Sequence, residues 1–255
     1  MAERIGIEEA ARRRGVRLIL MAGFPSPWSV AAKALFDVKR IPYVRAQPMP
    51  HDAPDALVRV THQASFPAVL YENERPRSGW AEILLLAERL APEPALIPSD
   101  AEQRATLFGV AHEICGESGL GWCARLMMIH SGMQTDPPNP VGAFLGPKYG
   151  YSREAAAAAP ARVIAVLRML SALLARSRAK GNAYLLGASL SAVDLYWAAF
   201  SNLLALLPPE QCPLPAPMRA MFGKTDPEIQ AALDPALLAH RDFVFAKHIG
   251  LPLEL

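Results

Sequence analysis

Four residues near the start of the chain, "SPWS" at positions 26–29, lie where a short apolar strand gives way to a helix. A redox protein can carry two cysteines at this spacing, but both outer positions here are serine. Dithiol chemistry and mixed disulfides are therefore not expected at this site. A hydroxyl at a helix start can instead stabilise an anion such as a thiolate, because the helix N-terminus carries partial positive charge. The alternative is that Ser26 is only an N-cap ahead of Pro27, since proline is favoured at the first helical position.

The elements around this stretch predict a small α/β domain. The apolar run "VRLILMA" (16–22) has strand length, and "WSVAAKALFDVKR" repeats apolar residues at helical spacing. "PYVRA" returns to strand length, so the two strands form a parallel pair with a right-handed crossover. After a loop, "SFPAVLYENERPRSG" predicts a hairpin and "GWAEILLLAERLA" a helix.

The remaining segments divide the chain. Residues 1–15 are charged and end in glycine, which predicts a short helical or disordered extension. Residues 92–100, "PEPALIPSD", contain three prolines and predict an extended linker. Beyond the linker there is no convincing strand, and three long segments are predicted to be helices. The predicted organisation is therefore an extension (1–15), an α/β domain (16–91), a linker (92–100) and an all-helical domain (101–255).

Composition excludes several classes of function. A net charge of +2 argues against nucleic acid as the main partner, because phosphate binding usually needs a basic surface. The three cysteines, Cys115, Cys123 and Cys212, form no disulfide framework and favour a reducing compartment. The apolar run near the N-terminus is short for a signal peptide, and no run reaches the ~18 apolar residues of a membrane span. We therefore expect a cytoplasmic protein without a membrane partner.

The order of these elements resembles the cytosolic glutathione transferase family over roughly residues 16–250. In "FPAVL", Phe66–Pro67 stands where the thioredoxin-like domain of that family keeps a cis-proline. "GASLSAVDLYWAA" is similar to the family's buried capping box, with Ser191 as the cap and Asp194 returning the hydrogen bond. The implied fold class is an α/β thioredoxin-like domain followed by an all-α domain, the glutathione transferase fold.

The resemblance also implies a function. Glutathione would be the co-substrate, with no metal, and Ser26 would stabilise its thiolate for attack on a hydrophobic electrophile. Trp28 would form an aromatic edge of the pocket, and the backbone of Phe66, before Pro67, would pair with the cysteinyl unit. Members of the family are typically homodimers, so a homodimer is expected here.

One departure from the family concerns the start of the third helix, where an acidic residue or glutamine and then a serine bind the γ-glutamyl group. Here Ser78 and Gly79 occupy these positions. Gly79 still offers a backbone N–H, and Arg77 could pair with a carboxylate. Glu82 either replaces the missing carboxylate or is a first-turn acid that complements the helix dipole.

Further candidates lie in the helical part. Trp122, Arg125 and Leu126 are predicted to line the substrate pocket, although such a stripe is also typical of a core. Residues 136–152 are rich in proline and glycine and predict a loop that is either a functional lid or mobile surface.

Three hypotheses follow from these residues. The first is a glutathione transferase-like enzyme. The second is a non-catalytic binding protein of the same fold that has lost the γ-glutamyl site. The third is a glutathione-independent enzyme that uses His112 and Glu113.

Overall fold

The computed structural model describes residues 4–224 and 226–254, which form two units. Unit 1 contains the described residues up to Ile97 together with Pro208–Leu214 and the segment from Ala246. Unit 2 contains Pro98–Leu207 and Pro215–Phe245. This division differs from 16–91 and 101–255 in that two later segments, 208–214 and 246–254, cluster with the α/β residues.

Unit 1 is built on a four-stranded sheet in the order β1-β3-β2-β4. Strands β1 and β2 run parallel to β3, and β4 runs antiparallel to β2. The elements in chain order are β1 (Arg4–Ile5), α1 (Ile7–Arg12), β2 (Val16–Ile19), α2 (Pro27–Val38), β3 (Tyr43–Ala46), α3 (Ala56–Thr61), β4 (Ala68–Tyr71) and α4 (Trp80–Leu90). The predicted β-α-β unit, the first strand of the predicted hairpin and the following helix are therefore present. The second strand of that hairpin is reduced to an isolated bridge between Val69 and Arg77, and α3 replaces a predicted loop.

The N-terminal extension is part of the sheet and its core. Ile5 and Ile7 are buried in one apolar cluster with Ile19 and Leu70. Helix α1 is capped from a distance, because Asp52 accepts hydrogen bonds from the backbone N–H groups of Ile7 (2.9 Å) and Glu8 (3.1 Å). A Cβ at Gly6 would lie 2.8 Å from Oδ1 of Asp52, so a larger residue there would have to displace the capping carboxylate. The prediction of a helix here is right in part, but the sequence did not indicate the added strand.

Unit 2 is helical. Its α-helices are α5 (Ala101–Cys115), α6 (Leu120–Met133), α7 (Pro140–Leu145), α8 (Arg153–Ala179), α9 (Ala192–Ser201), α10 (Ala216–Phe222), α11 (Pro227–Ala232) and α12 (Pro235–Val244). The segment predicted as a loop, 136–152, instead contains α7 and a 3-10 turn at Pro147–Tyr149. It is tied to α6 by a contact of 2.9 Å between the Tyr151 hydroxyl and Nδ1 of His130.

Helix α8 is the one described helix long and apolar enough to cross a membrane by length and composition. Its buried positions recur every three or four residues, as in a helix that packs along one side. It packs against α6, α11 and α12 within unit 2. These contacts account for its apolar stripe.

Helix α9 is buried along its whole length and begins at the predicted capping box. The carboxylate of Asp194 accepts the N–H (2.9 Å) and the hydroxyl (2.7 Å) of Ser191, and the N–H of Leu185 (2.9 Å). Nε2 of His240, on α12, lies 2.8 Å from Oδ1 of the same carboxylate. The carboxylate is fully buried and is satisfied by groups from three segments of unit 2.

Substituting Asp194 by alanine should therefore destabilise the protein far more than loss of an ordinary cap. We expect Asp194→Ala to lower the free energy of unfolding by about 3 kcal/mol or more, because several buried polar groups lose their partner. The matched control is Asp100→Ala at the start of α5, where the exposed carboxylate accepts the N–H of Gln103 and the expected cost is about 1 kcal/mol. Urea unfolding of both variants measures the difference, and equal losses would contradict this role.

Candidate functional site

Ser26 occupies the position that the sequence predicts, immediately before α2. It is the N-cap residue, with φ −62° and ψ 116°, and Pro27 follows at the first helical position. Its carbonyl accepts the N–H of Val30 at 2.9 Å. Its hydroxyl, however, makes no capping hydrogen bond, and the residue is only 6% exposed. The backbone of Ser26 starts the helix, while its hydroxyl is not used for that purpose.

The second serine of the stretch has a structural role. Ser29 is buried, and its Oγ accepts the backbone N–H of Met21 at 3.1 Å. This bond fixes the end of the segment that leads from β2 towards α2. The two serines therefore have different roles. The hydroxyl of Ser29 accepts a backbone N–H, whereas the hydroxyl of Ser26 makes no capping hydrogen bond.

Both serines line a cavity of about 360 Å³ within unit 1. The wall also includes Lys33, Arg45 and the C-terminal segment 249–254. The sequence analysis named none of these three, because no local pattern links residues so far apart in the chain. Trp28, Phe66, Pro67, Ser78 and Gly79 are not among the described residues that line this cavity.

Charged groups meet in one corner of this cavity. The carboxylate of Glu254 lies 3.5 Å from Nζ of Lys33 and 3.9 Å from Nη1 of Arg45. Arg45 is buried; burial and the like charge of Arg4 lower its pKa, whereas Glu254 raises it. Its Nε has no hydrogen-bond partner within the described residues. Asp37 also lines the wall and pairs with Nζ of Lys33 at 2.8 Å, so an anion in this cavity would meet two cations and two competing carboxylates.

The cis-proline expected from the resemblance is present. The Phe66–Pro67 peptide bond is cis and stands directly before β4. Pro67 is buried, and Phe66 packs against the apolar cluster of the sheet.

The start of α4 shows what Glu82 does. Gly79 is the N-cap, and the Glu82 carboxylate accepts its N–H at 3.3 Å while pairing with Arg75 at 2.7 Å. Burial raises the pKa of Glu82, but the hydrogen bonds from Arg75 and from the N–H groups of Gly79 and Ser78 outweigh this effect and hold it below the usual value. Glu82 is thus the first-turn acid of the second alternative, and it uses the Gly79 N–H itself.

Arg77 is similarly engaged. Its guanidinium pairs with Glu74, and its backbone N–H and carbonyl both bond to Val69. The hypothesis that Arg77 binds a ligand carboxylate therefore competes with an existing ion pair.

The three residues of unit 2 that were predicted to line one substrate pocket do not line the same cavity. Trp122 packs on Tyr149, with ring centroids 4.6 Å apart, and Leu126 is buried. Arg125 lines a second cavity, of about 460 Å³, and neither Trp122 nor Leu126 is among its described lining residues. The carboxylate of Glu113 pairs with Arg162, so it is not directed at His112.

Comparison with solved structures identifies the fold of the chain. No protein-family model and no curated protein matches the chain. A glutathione S-transferase from Methylobacillus flagellatus, solved with glutathione bound, is 14% identical over 92% of this chain and 96% of that chain, with a TM-score of 0.64. Glutathione transferase Omega 3C from Trametes versicolor is 17% identical over 95% and 90%, with a TM-score of 0.59.

A third structure, a glutathione S-transferase from Methylobacterium radiotolerans in complex with glutathione sulfonate, is 18% identical. The match covers 92% of each chain, with a TM-score of 0.58. At these identities the similarity concerns the fold and not the activity. The chain has the glutathione transferase fold, a thioredoxin-like domain followed by a helical domain, as predicted.

The different roles of the two serines can be tested by stability. Ser29→Ala removes the acceptor of a partly buried backbone N–H and should cost about 1–2 kcal/mol of unfolding free energy. Ser26→Ala removes no capping hydrogen bond and should change that free energy by less than about 0.5 kcal/mol. Thermal unfolding of both variants against the wild type provides the comparison. A loss of about 1 kcal/mol or more in Ser26→Ala would instead mean that the hydroxyl caps the helix.

Proposed function

We propose that the protein is a glutathione transferase-like enzyme in which Ser26 stabilises the thiolate of glutathione. The observation that carries this proposal is the Ser26 hydroxyl, which lines a cavity at the start of α2 and makes no capping bond. The fold supports it, since similar structures were solved with glutathione or glutathione sulfonate.

The chemistry follows from the position of Ser26. A free thiol titrates near ~8.5, so little of it is thiolate at neutral pH. A hydroxyl that donates to the sulfur, together with the N-terminus of the 12-residue helix α2, favours the anion. The thiol proton leaves to solvent, the sulfur forms a bond to an electrophilic carbon, and the leaving group departs with its electron pair.

The peptide part of glutathione would be held as the resemblance implies. The backbone of Phe66, before cis-Pro67, would pair with the cysteinyl unit, and Trp28 would form the aromatic edge. Ser78 and Gly79 would face the γ-glutamyl group, where the hydroxyl of Ser78 and the backbone remain. A hydrophobic electrophile, a homodimer and a cytoplasmic location stay predictions of the same resemblance.

A second candidate function is a binding protein of the same fold without transferase activity. The observation that favours it is at α4, where Glu82 already uses the Gly79 N–H and no carboxylate stands at position 78. A ligand carboxylate arriving there would meet the like charge of Glu82.

Two measurements on one set of variants decide between these functions. We expect glutathione to bind the wild type in calorimetry and to bind Ser26→Ala with an affinity within about threefold, because the thiolate contact contributes mainly to reactivity. Conjugation of chlorodinitrobenzene should fall by roughly 10- to 100-fold in kcat/KM, since a hydrogen bond to a charged group contributes about 1.5–3 kcal/mol.

The matched control is Ser152→Ala, another serine at a helix start, whose Oγ caps α8 in unit 2. Its affinity and rate should equal those of the wild type. Absence of glutathione binding at millimolar concentration would contradict the enzyme hypothesis. Glutathione binding without conjugation above the uncatalysed rate would support the second candidate, whereas conjugation that Ser26→Ala leaves unchanged would contradict the role of Ser26.

A further inference from the structure

The larger of the two cavities described above lies wholly within unit 2. Its wall comes from α6, α7, the turn after α9, and the region from α10 to α11. Its volume of about 460 Å³ is within the range of small-molecule sites. Much of the wall is apolar and flexible, with Met127, Met128, Met221, Leu204 and Ile229 among its members. Methionine-rich walls adapt to ligands of different shape.

One buried cation lies in this apolar wall. Arg125 is 7% exposed, lines the cavity, and has its Nη1 3.1 Å from Sδ of Met128, which also lines the cavity. Its other partner is the Tyr149 hydroxyl. No ion pair joins Arg125 to a carboxylate within the described residues. Burial lowers its pKa, yet arginine remains protonated in proteins.

Two other buried cations of the chain have stronger partners. Arg17 donates to the backbone carbonyls of Ala10 and Glu72 at 3.0 and 3.2 Å. Lys39 donates to two carbonyls and pairs with Glu88 at 2.6 Å. A thioether sulfur and a phenol are weaker partners for a guanidinium than carbonyls or a carboxylate. Burying a cation with such partners opposes stability, so the arginine is better explained by a ligand than by packing.

The groups around Arg125 do not supply the missing negative charge. Burial raises the pKa of Tyr149 more than Arg125 lowers it, so the phenol stays neutral. Lys148 is a neighbouring cation whose pKa is lowered by burial and by Arg125. The one described acid in the cavity wall, Asp226, accepts the N–H groups of Glu228 and Ile229 as the cap of α11. Lys224 adds a further cation to the wall.

We propose that this cavity is a binding site for a small apolar carboxylate, with its hydrocarbon or aromatic body against the methionine wall and its carboxylate on the guanidinium of Arg125. The planar guanidinium can donate two parallel hydrogen bonds to a carboxylate, which makes it selective for that group. The site goes beyond the proposed glutathione chemistry and does not depend on it, because every residue involved belongs to unit 2.

The test compares two probes with the same apolar body, phenylbutyrate and phenylbutanol, by calorimetry on the full chain without glutathione. The wild type should bind the acid at least about tenfold more tightly than the alcohol, since hydrogen bonds to charged groups are the stronger ones. Arg125→Met replaces the guanidinium side chain by an apolar one of similar length. This variant should bind the acid and the alcohol equally, because the partner of the carboxylate is gone. Its melting temperature should equal or exceed that of the wild type, because the weakly partnered buried cation at this position has been removed.

A second variant keeps the test decisive if Arg125→Met does not fold. Ser131 is exposed and lines the same cavity, so Ser131→Trp should fill it and abolish binding of both probes. Equal affinities for acid and alcohol in the wild type, or no binding of either, would overturn the proposal. So would an acid preference that survives in Arg125→Met, or binding unaffected by Ser131→Trp. Failure of glutathione to bind unit 1 would leave these results unchanged.

Discussion

The buried carboxylate of Asp194 is the interaction on which the helical unit depends. It accepts from both polar groups of Ser191, from Leu185, and contacts His240, so it joins the start of α9 to the preceding turn and to α12. A charge without solvent is tolerable only when it is fully hydrogen-bonded. Helix α9 itself packs against α5 and α12, and the turn after it contributes Leu203 and Leu204 to the wall of the Arg125 cavity.

The polar side chains of unit 1 that looked functional in the sequence are of two types. Some hold a backbone group or an ion pair of the fold, and one, Ser26, does not use its hydroxyl as a helix cap. Ser29, Glu82 and Arg77 all look functional in the sequence, but each holds a backbone group or an ion pair. Ser26 has the opposite character, since it occupies a cap position without using its hydroxyl as a cap. Within SPWS, the fold therefore uses the hydroxyl of Ser29 as a hydrogen-bond acceptor, whereas the hydroxyl of Ser26 makes no capping hydrogen bond.

Local features were predictable from the sequence, and distant ones were not. Helix α2 follows from the apolar spacing of adjacent residues, whereas the cis bond before β4 and the buried capping box of α9 are expected from short motifs that resemble the glutathione transferase family. The cap of α1 by Asp52, by contrast, joins residues 45 positions apart, and the segment ending at Glu254 reaches the cavity of Ser26 from the far end of the chain. The segment 136–152 was predicted as a loop because its prolines and glycines punctuate it, yet Asn139 and Pro140 start a short helix there. Arg125 was named from the sequence, but the identity of its partners required the packed structure.

The central claim is that Ser26 stabilises a thiolate, and the ionisation of bound glutathione tests it most directly. The ultraviolet absorbance of the thiolate, followed against pH in the protein–glutathione complex, gives the pKa of the bound thiol. The account predicts a pKa below the free value of about 8.5 in the wild type and a return toward that value in Ser26→Ala. A bound thiol that titrates as free glutathione does, or with the same pKa in both proteins, would contradict it.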